Sequence, residues 1–180
     1  MVDMAASMRG AFGARSPTEA QGKVKESSPM KVSKFLTLHG MLALTTPPDF
    51  TLAEAARRFG QSVGGRRFSL AVVTSHDDRL LGVISLGDIT HALGTHEEQA
   101  AKMLVRDVMT TDVITCSPDD DLEDVLKRIA DKGIRHVPVV EGGKLAGLVV
   151  RREALEVLYQ QASLDVAHLT DWLFRSDARY

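Results

Sequence analysis

Residues 41–59, MLALTTPPDFTLAEAARRF, align with residues 111–129, TDVITCSPDDDLEDVLKRI, at an offset of 70. No other feature of the 180-residue chain limits its fold as strongly. A unit of about 60 residues buries too little of its own surface to be stable alone, so the two copies must cover each other. Each copy carries a short apolar stretch, a turn at Pro48 or Pro118, and then a helical pattern. In the second copy Leu122, Val125, Leu126, Ile129 and Ala130 fall at i, i+3, i+4, i+7 and i+8, one apolar helix face. Leu52, Ala55, Ala56 and Phe59 repeat that spacing in the first. Acidic residues 119–121 suit the positive end of the second helix, and Gly133 is a natural stop.

Each helix leads into two apolar strands, SLAVV (69–73) with LLGVIS (80–85), and HVPVV (136–140) with LAGLVV (145–150). The intervening TSHDDR and EGGK supply turn chemistry for antiparallel hairpins. A closing helix is expected from near residue 87 and near residue 152. The unit is strand–helix–strand–strand–helix, used twice, and the fold class is α/β (α+β) with the repeats packed face to face. The boundaries read from the sequence are a flexible tail over 1–30, repeat 1 over 31–93, a linker over 94–107, repeat 2 over 108–160 and a helical tail over 161–180. Leu169, Trp172 and Leu173 form a small apolar stripe on that last segment, a dimer contact or a piece of core.

The junctions between the last strand and last helix differ between copies. GVISLGDITHAL (82–93) and GLVVRREALEVL (147–158) share a frame, but Val150 stands where Ser85 does and Glu153 where Asp88 does. Ser-x-x-Asp is the pattern of a helix capping box, which needs no ligand. Taken alone, those four residues favour the cap; a cap and a binding role are also compatible on one junction.

The tandem β-α-β-β-α pattern, with VMTTDVITCSPDD, IRHVPVVEGGKLAGLV and GVISLGDI, resembles the cystathionine-β-synthase (CBS) domain pair, or Bateman module, over roughly residues 36–160. The resemblance implies a disc with pseudo-two-fold symmetry, commonly dimerised further, that senses or regulates rather than catalyses. It implies two clefts between the repeats that take adenosyl ligands such as AMP, ADP, ATP or S-adenosylmethionine, and no required cofactor. It leaves no segment for a separate catalytic domain.

Within that frame Ser85 and Asp88 become ligand residues: the carboxylate accepts from both ribose hydroxyls, and the hydroxyl sits beside free helix amides. Gly87 lets the backbone approach. The opposite wall carries Thr110, Thr111, Asp112 and Val113, with Arg135 and His136 as phosphate donors. Ile84, Val113 and Pro138 are expected to form an apolar slot for adenine. For Arg135 the competing reading is a solvated surface charge, and for His136 a hydrogen-bonded, partly buried ring. The second cleft, with Gly40, Met41, Arg67, Ser69 and Glu153, departs from the pattern and is expected to be empty or weaker. A rival reading treats the pair as a dimerisation or partner-docking scaffold without a small ligand, and the degenerate second junction favours it.

Composition narrows the rest. A net charge of −2 gives no general attraction for nucleic acid. The lone Cys116, in DVITCSP, excludes an intramolecular disulfide and suits a buried inert thiol in a strand and a reducing, cytoplasmic setting. No apolar run approaches membrane-spanning length. Residues 1–30 lack the apolar core of a secretory signal, and Asp3, Glu19 and Glu26 argue against a transit peptide. The histidines have no recognised metal spacing, and no base, metal cluster or activated nucleophile points to an enzyme.

Overall fold

The computed structural model describes residues 29–40, 43–61 and 67–176, with the side chains of residue 165 and of 168–176 left out. The first repeat is β1 (Thr45–Thr46), α2 (Leu52–Gly60), β2 (Leu70–Thr74), β3 (Leu80–Ser85) and α3 (Leu86–His96), preceded by α1 (Val32–His39). A 3-10 segment, Glu97–Lys102, and the single turn α4 (Val105–Val108) lead to the second repeat. That repeat holds α5 (Leu122–Asp131), β4 (His136–Glu141), β5 (Lys144–Val150) and the long α6 (Arg151–Ser176). Strand β1 runs parallel to β2, and β2 antiparallel to β3; β4 and β5 form the matching hairpin.

The first strand of the second copy shrinks to one rung, which corrects the strand expected around Cys116. Cys116 N–H donates to the Pro138 carbonyl at 3.1 Å, its own carbonyl accepts from Val140 at 2.8 Å, and pairing stops there. In both copies a proline closes off the ladder, Pro47 directly after β1 and Pro118 two residues past Cys116, since proline has no N–H to donate. On α5 and α2 the expected faces bury Leu122, Val125, Ile129, Leu52, Ala55 and Phe59, with Leu126 partly buried. Ala56 and Ala130 are exposed instead, because the buried stripe is narrower than the spacing alone suggests.

Each repeat has its own apolar core, and each borrows a segment from outside itself. Val32, Phe35 and Leu36 of α1 pack with Cys116, Leu122, Val125, Ile129, Val137 and Val149 of the second repeat. Ala100 and Val105, from the segment between the repeats, pack with Leu52, Phe59, Ala71, Val73 and Ile84 of the first. The backbone bonds match in pairs. Leu122 N–H donates to Met30 O and Leu52 N–H to Met103 O, both at 2.8 Å; Val32 N–H donates to Asp120 O at 3.0 Å and Val105 N–H to Phe50 O at 2.8 Å. Met30, which the sequence assigns to the tail, is therefore core, at 6% exposure. The rest of the expected tail lies outside the described residues, apart from Pro29.

The hairpin tips close the opposite end. Leu80 N–H donates to Gly143 O at 3.3 Å, and Leu145 N–H to Asp78 O at 2.9 Å, a reciprocal pair related by the duplication. Gly143, at φ 82, and Asp78, at φ 63, supply the left-handed turns.

Candidate functional site

The Ser85 junction is fixed from three directions. As β3 ends, Ser85 caps α3: its hydroxyl accepts from Asp88 N–H at 3.2 Å, and Asp88 Oδ2 accepts from both the N–H and the Oγ–H of Ser85 at 2.7 Å. Leu86 N–H donates to Ser69 O at 3.1 Å, tying the helix start to the chain entering β2. Across the repeat boundary Val83 and Thr110 exchange two backbone bonds of 2.9 Å, which bring the 110–114 segment alongside β3. That approach requires Gly82, where an added Cβ would lie 2.6 Å from Thr110 O.

The far wall comes from the turn after α5. Gly133 adopts φ 64 and Ile134 N–H returns to Ile129 O at 3.1 Å, a glycine-ended helix stop that sends the chain into β4. Arg151 N–H donates to Arg135 O at 2.9 Å, the counterpart of the Leu86–Ser69 bond. Between these walls lies a cleft of about 570 Å³, within the usual size of small-molecule sites.

Ser85, Asp88, Thr110, Asp112, Val113, Arg135, His136 and Pro138 all line it, with Gly87 at the helix start. Ile84 does not. Its side chain is fully buried in the first core, and Val83 faces the cleft in its place. Side chains alternate along a strand, so once Ser85 points into the cleft, Val83 shares its face and Ile84 takes the other. Thr111 is exposed and lies outside the lining. Ile114 and Ile134, not singled out by the sequence, join Val83, Val113 and Pro138 as the apolar surface.

His136 is half-buried, and its pKa lies below the usual 6.5, first through loss of hydration and then through the adjacent Arg135 guanidinium. Cys116 is taken out of contention as a nucleophile: burial, with a smaller push from Asp120, raises its pKa to about 12.

The second cleft, about 910 Å³, opens at the Val150–Arg151 junction. Arg67, Ser69 and Glu153 line it, together with Arg151, Arg152, Glu156 and Tyr159. Ser69, Arg135 and His136 line both clefts. Gly40 does not reach it; it ends α1 at φ 79, its N–H donating to Leu36 O. Met41 lies outside the described residues, as do the side chains of Leu169, Trp172 and Leu173. Among the described residues no three His, Cys, Asp or Glu side chains converge as a metal site, and no helix is long and apolar enough to cross a membrane.

The family model of the CBS domain matches residues 43–95 and 105–160, together more than half of the chain. The chain belongs to the CBS-domain family. A relative from Methanopyrus kandleri, itself uncharacterised, is 29% identical over 115 residues, 63% of this chain and 57% of its own length. Among solved structures, a CBS-domain-containing protein of Agrobacterium tumefaciens superposes with a TM-score of 0.62 at 25% identity, covering 71% of this chain and 98% of that one. The cytosolic domain of the Mg2+ channel MgtE, solved in complex with ATP, gives a TM-score of 0.56 at 26% identity, over 64% of this chain and 44% of that one. The CBS pair of this chain thus consists of two family units, each completed by a segment that lies outside its own strands and helices.

Proposed function

We propose that this CBS pair is a regulatory module that binds an adenosyl ligand, AMP, ADP, ATP or S-adenosylmethionine, in the cleft headed by Asp88. The observation that carries this reading is the convergence, on one cleft, of a Ser–Asp pair from the first repeat with an apolar surface and the donors Arg135 and His136 from the second. Asp88 Oδ2 is engaged by Ser85, and Oδ1 carries the free lone pairs a ribose hydroxyl pair would use. Val83, Val113, Ile114, Ile134 and Pro138 give a purine its apolar bed. The ATP complex of the MgtE cytosolic domain supports the ligand class. Because the cleft is built from both repeats, occupancy biases their relative orientation. A signal to a partner protein or a second copy of the chain follows only if the ligand binds two such arrangements unequally.

A second reading, a scaffold without a small ligand, is favoured by one observation: the capping box already satisfies Ser85 and half of Asp88. Thr51 and Glu54 form the same box at the start of α2, outside the cleft, and this gives the control. Thermal unfolding is measured with AMP, ADP, ATP, S-adenosylmethionine, NADH and GTP on wild type, Asp88→Ala and Thr51→Ala. A ligand at 100 times its Kd adds about 2.7 kcal/mol. Wild type and Thr51→Ala should both gain this with an adenosyl compound, although the Thr51 variant starts about 1 kcal/mol less stable. Asp88→Ala should lose most of the gain. No shift with any compound would leave the scaffold reading.

A further inference from the structure

Helix α6 is longer than the second repeat requires. It runs Arg151–Ser176, 26 residues, or about 39 Å, whereas the family match ends at residue 160. Its first turns pack on the body through Ala154, Val157 and, in part, Leu158. Farther out, Ala162, Ser163 and Leu164 are exposed. A helical stretch of about 15 residues is marginal in water unless a packed face supports it.

A second stripe, distinct from the buried one, runs along the same helix. Leu155, Tyr159, Ala162, Val166, Leu169 and Leu173 are spaced 4, 3, 4, 3 and 4 residues apart, the a/d spacing of a coiled-coil seam. These six positions stay within about 40° of one line along the helix, whereas Ala154 and Val157 lie about 100° and 160° away from it. Leu155 is 49% exposed, Tyr159 76%, and Ala162 is exposed as well. The body therefore leaves the first half of the stripe open.

Two features identify a second copy of the chain as the cover. The spacing reads the same from either end, so the stripe is complementary to itself about a two-fold axis. Helix α6 carries three arginines, 151, 152 and 175, against four acidic residues, 153, 156, 165 and 171. Two copies therefore meet without strong net repulsion, and no single-sign field draws an oppositely charged partner. We propose that this stripe is the seam of a helix pair between two copies of the chain, centred between Ala162 and Val166 and extending past the CBS unit. The proposal is independent of any ligand. Fewer than three heptads give a reversible, concentration-dependent pair.

Sedimentation equilibrium of the full chain over a range of concentrations tests this, with variants at two positions that line neither cleft. Ala162→Glu puts a carboxylate in the middle of the seam. Leu164→Glu puts the same group at a residue 61% exposed, about 160° around the helix from Ala162. Ala162→Leu gives the seam a side chain that favours two-stranded pairing. Wild type should dimerise, and Ala162→Glu should weaken the dimer at least about tenfold. Leu164→Glu should stay within about twofold of wild type, and Ala162→Leu should tighten pairing about threefold or more. A monomeric wild type, the result if residues 1–28 or another protein cover the stripe, would overturn the proposal. So would a dimer that Ala162→Glu leaves intact, which places the interface on another face, and so would equal losses in the two glutamate variants.

Discussion

At the scale of single residues, Asp88 and His136 hold different kinds of information. Asp88 has a structural task, closing the cap of α3, that its sequence neighbours already announce. A second task follows from what faces it across the cleft. His136 acquires its character from burial and from Arg135, neither of which is written in its local sequence. Its folded pKa is depressed, so below about pH 6.5 the unfolded chain takes up a proton that the folded one refuses. This group therefore contributes stability above that pH, and the contribution is lost as pH falls through the folded value. A bound phosphate reverses the shift by favouring the imidazolium. Ligand binding should then be accompanied by proton uptake, and affinity should rise as the pH is lowered toward the folded value. Titration calorimetry in two buffers of different ionisation enthalpy measures the uptake directly, and His136→Gln should abolish it. An unchanged proton count in that variant would take His136 out of the phosphate's reach.

At the scale of elements, the two copies use equivalent glycines for unlike neighbours. A Cβ at Gly82 would meet the backbone oxygen of Thr110 at 2.6 Å, whereas one at Gly147 would meet the methyl Leu36 Cδ2 at 2.7 Å. A leucine tip can rotate away, but the Thr110 carbonyl cannot, since it accepts from Val83 N–H while Thr110 N–H donates back to Val83 O. Gly82→Ala should cost about 1–3 kcal/mol in urea denaturation and weaken ligand binding, because it pushes the 110–114 wall off β3. Gly147→Ala should cost less and leave binding intact. Equal costs would mean that the Val83–Thr110 bridge is not what holds the cleft closed. The shared glycine was legible as part of the repeat; its neighbour was not, since that depends on which segment lies against the strand.

At the scale of the molecule, exchange of α1 and the 97–108 segment makes the repeats mutually dependent. Phe35 is 1% exposed and sits in the core of the second repeat, although it precedes the first in sequence. Phe35→Ala should cost about 3–5 kcal/mol, as large-to-small core changes do. The loss should appear in one cooperative transition, with calorimetric and van't Hoff enthalpies equal, rather than as melting of one repeat alone. Two resolved transitions in wild type would show that the exchanged segments do not couple the halves.

The sequence by itself determined the duplication, the helix stripes of α2 and α5, the hairpins and the two unequal junctions. All of these are local regularities, set by side-chain period and by the dihedral preferences of glycine and proline. It also contained the face of Ile84, since a strand's two-residue period assigns Val83 to the side of Ser85; that inference needed only one anchored neighbour. What only the tertiary structure decided is which segments complete which core, that Cys116 keeps a single rung, and that Ser69, Arg135 and His136 stand between two clefts. Those outcomes depend on contacts between residues far apart in the chain, and the local pattern is silent about the partner each segment finds once both repeats are folded.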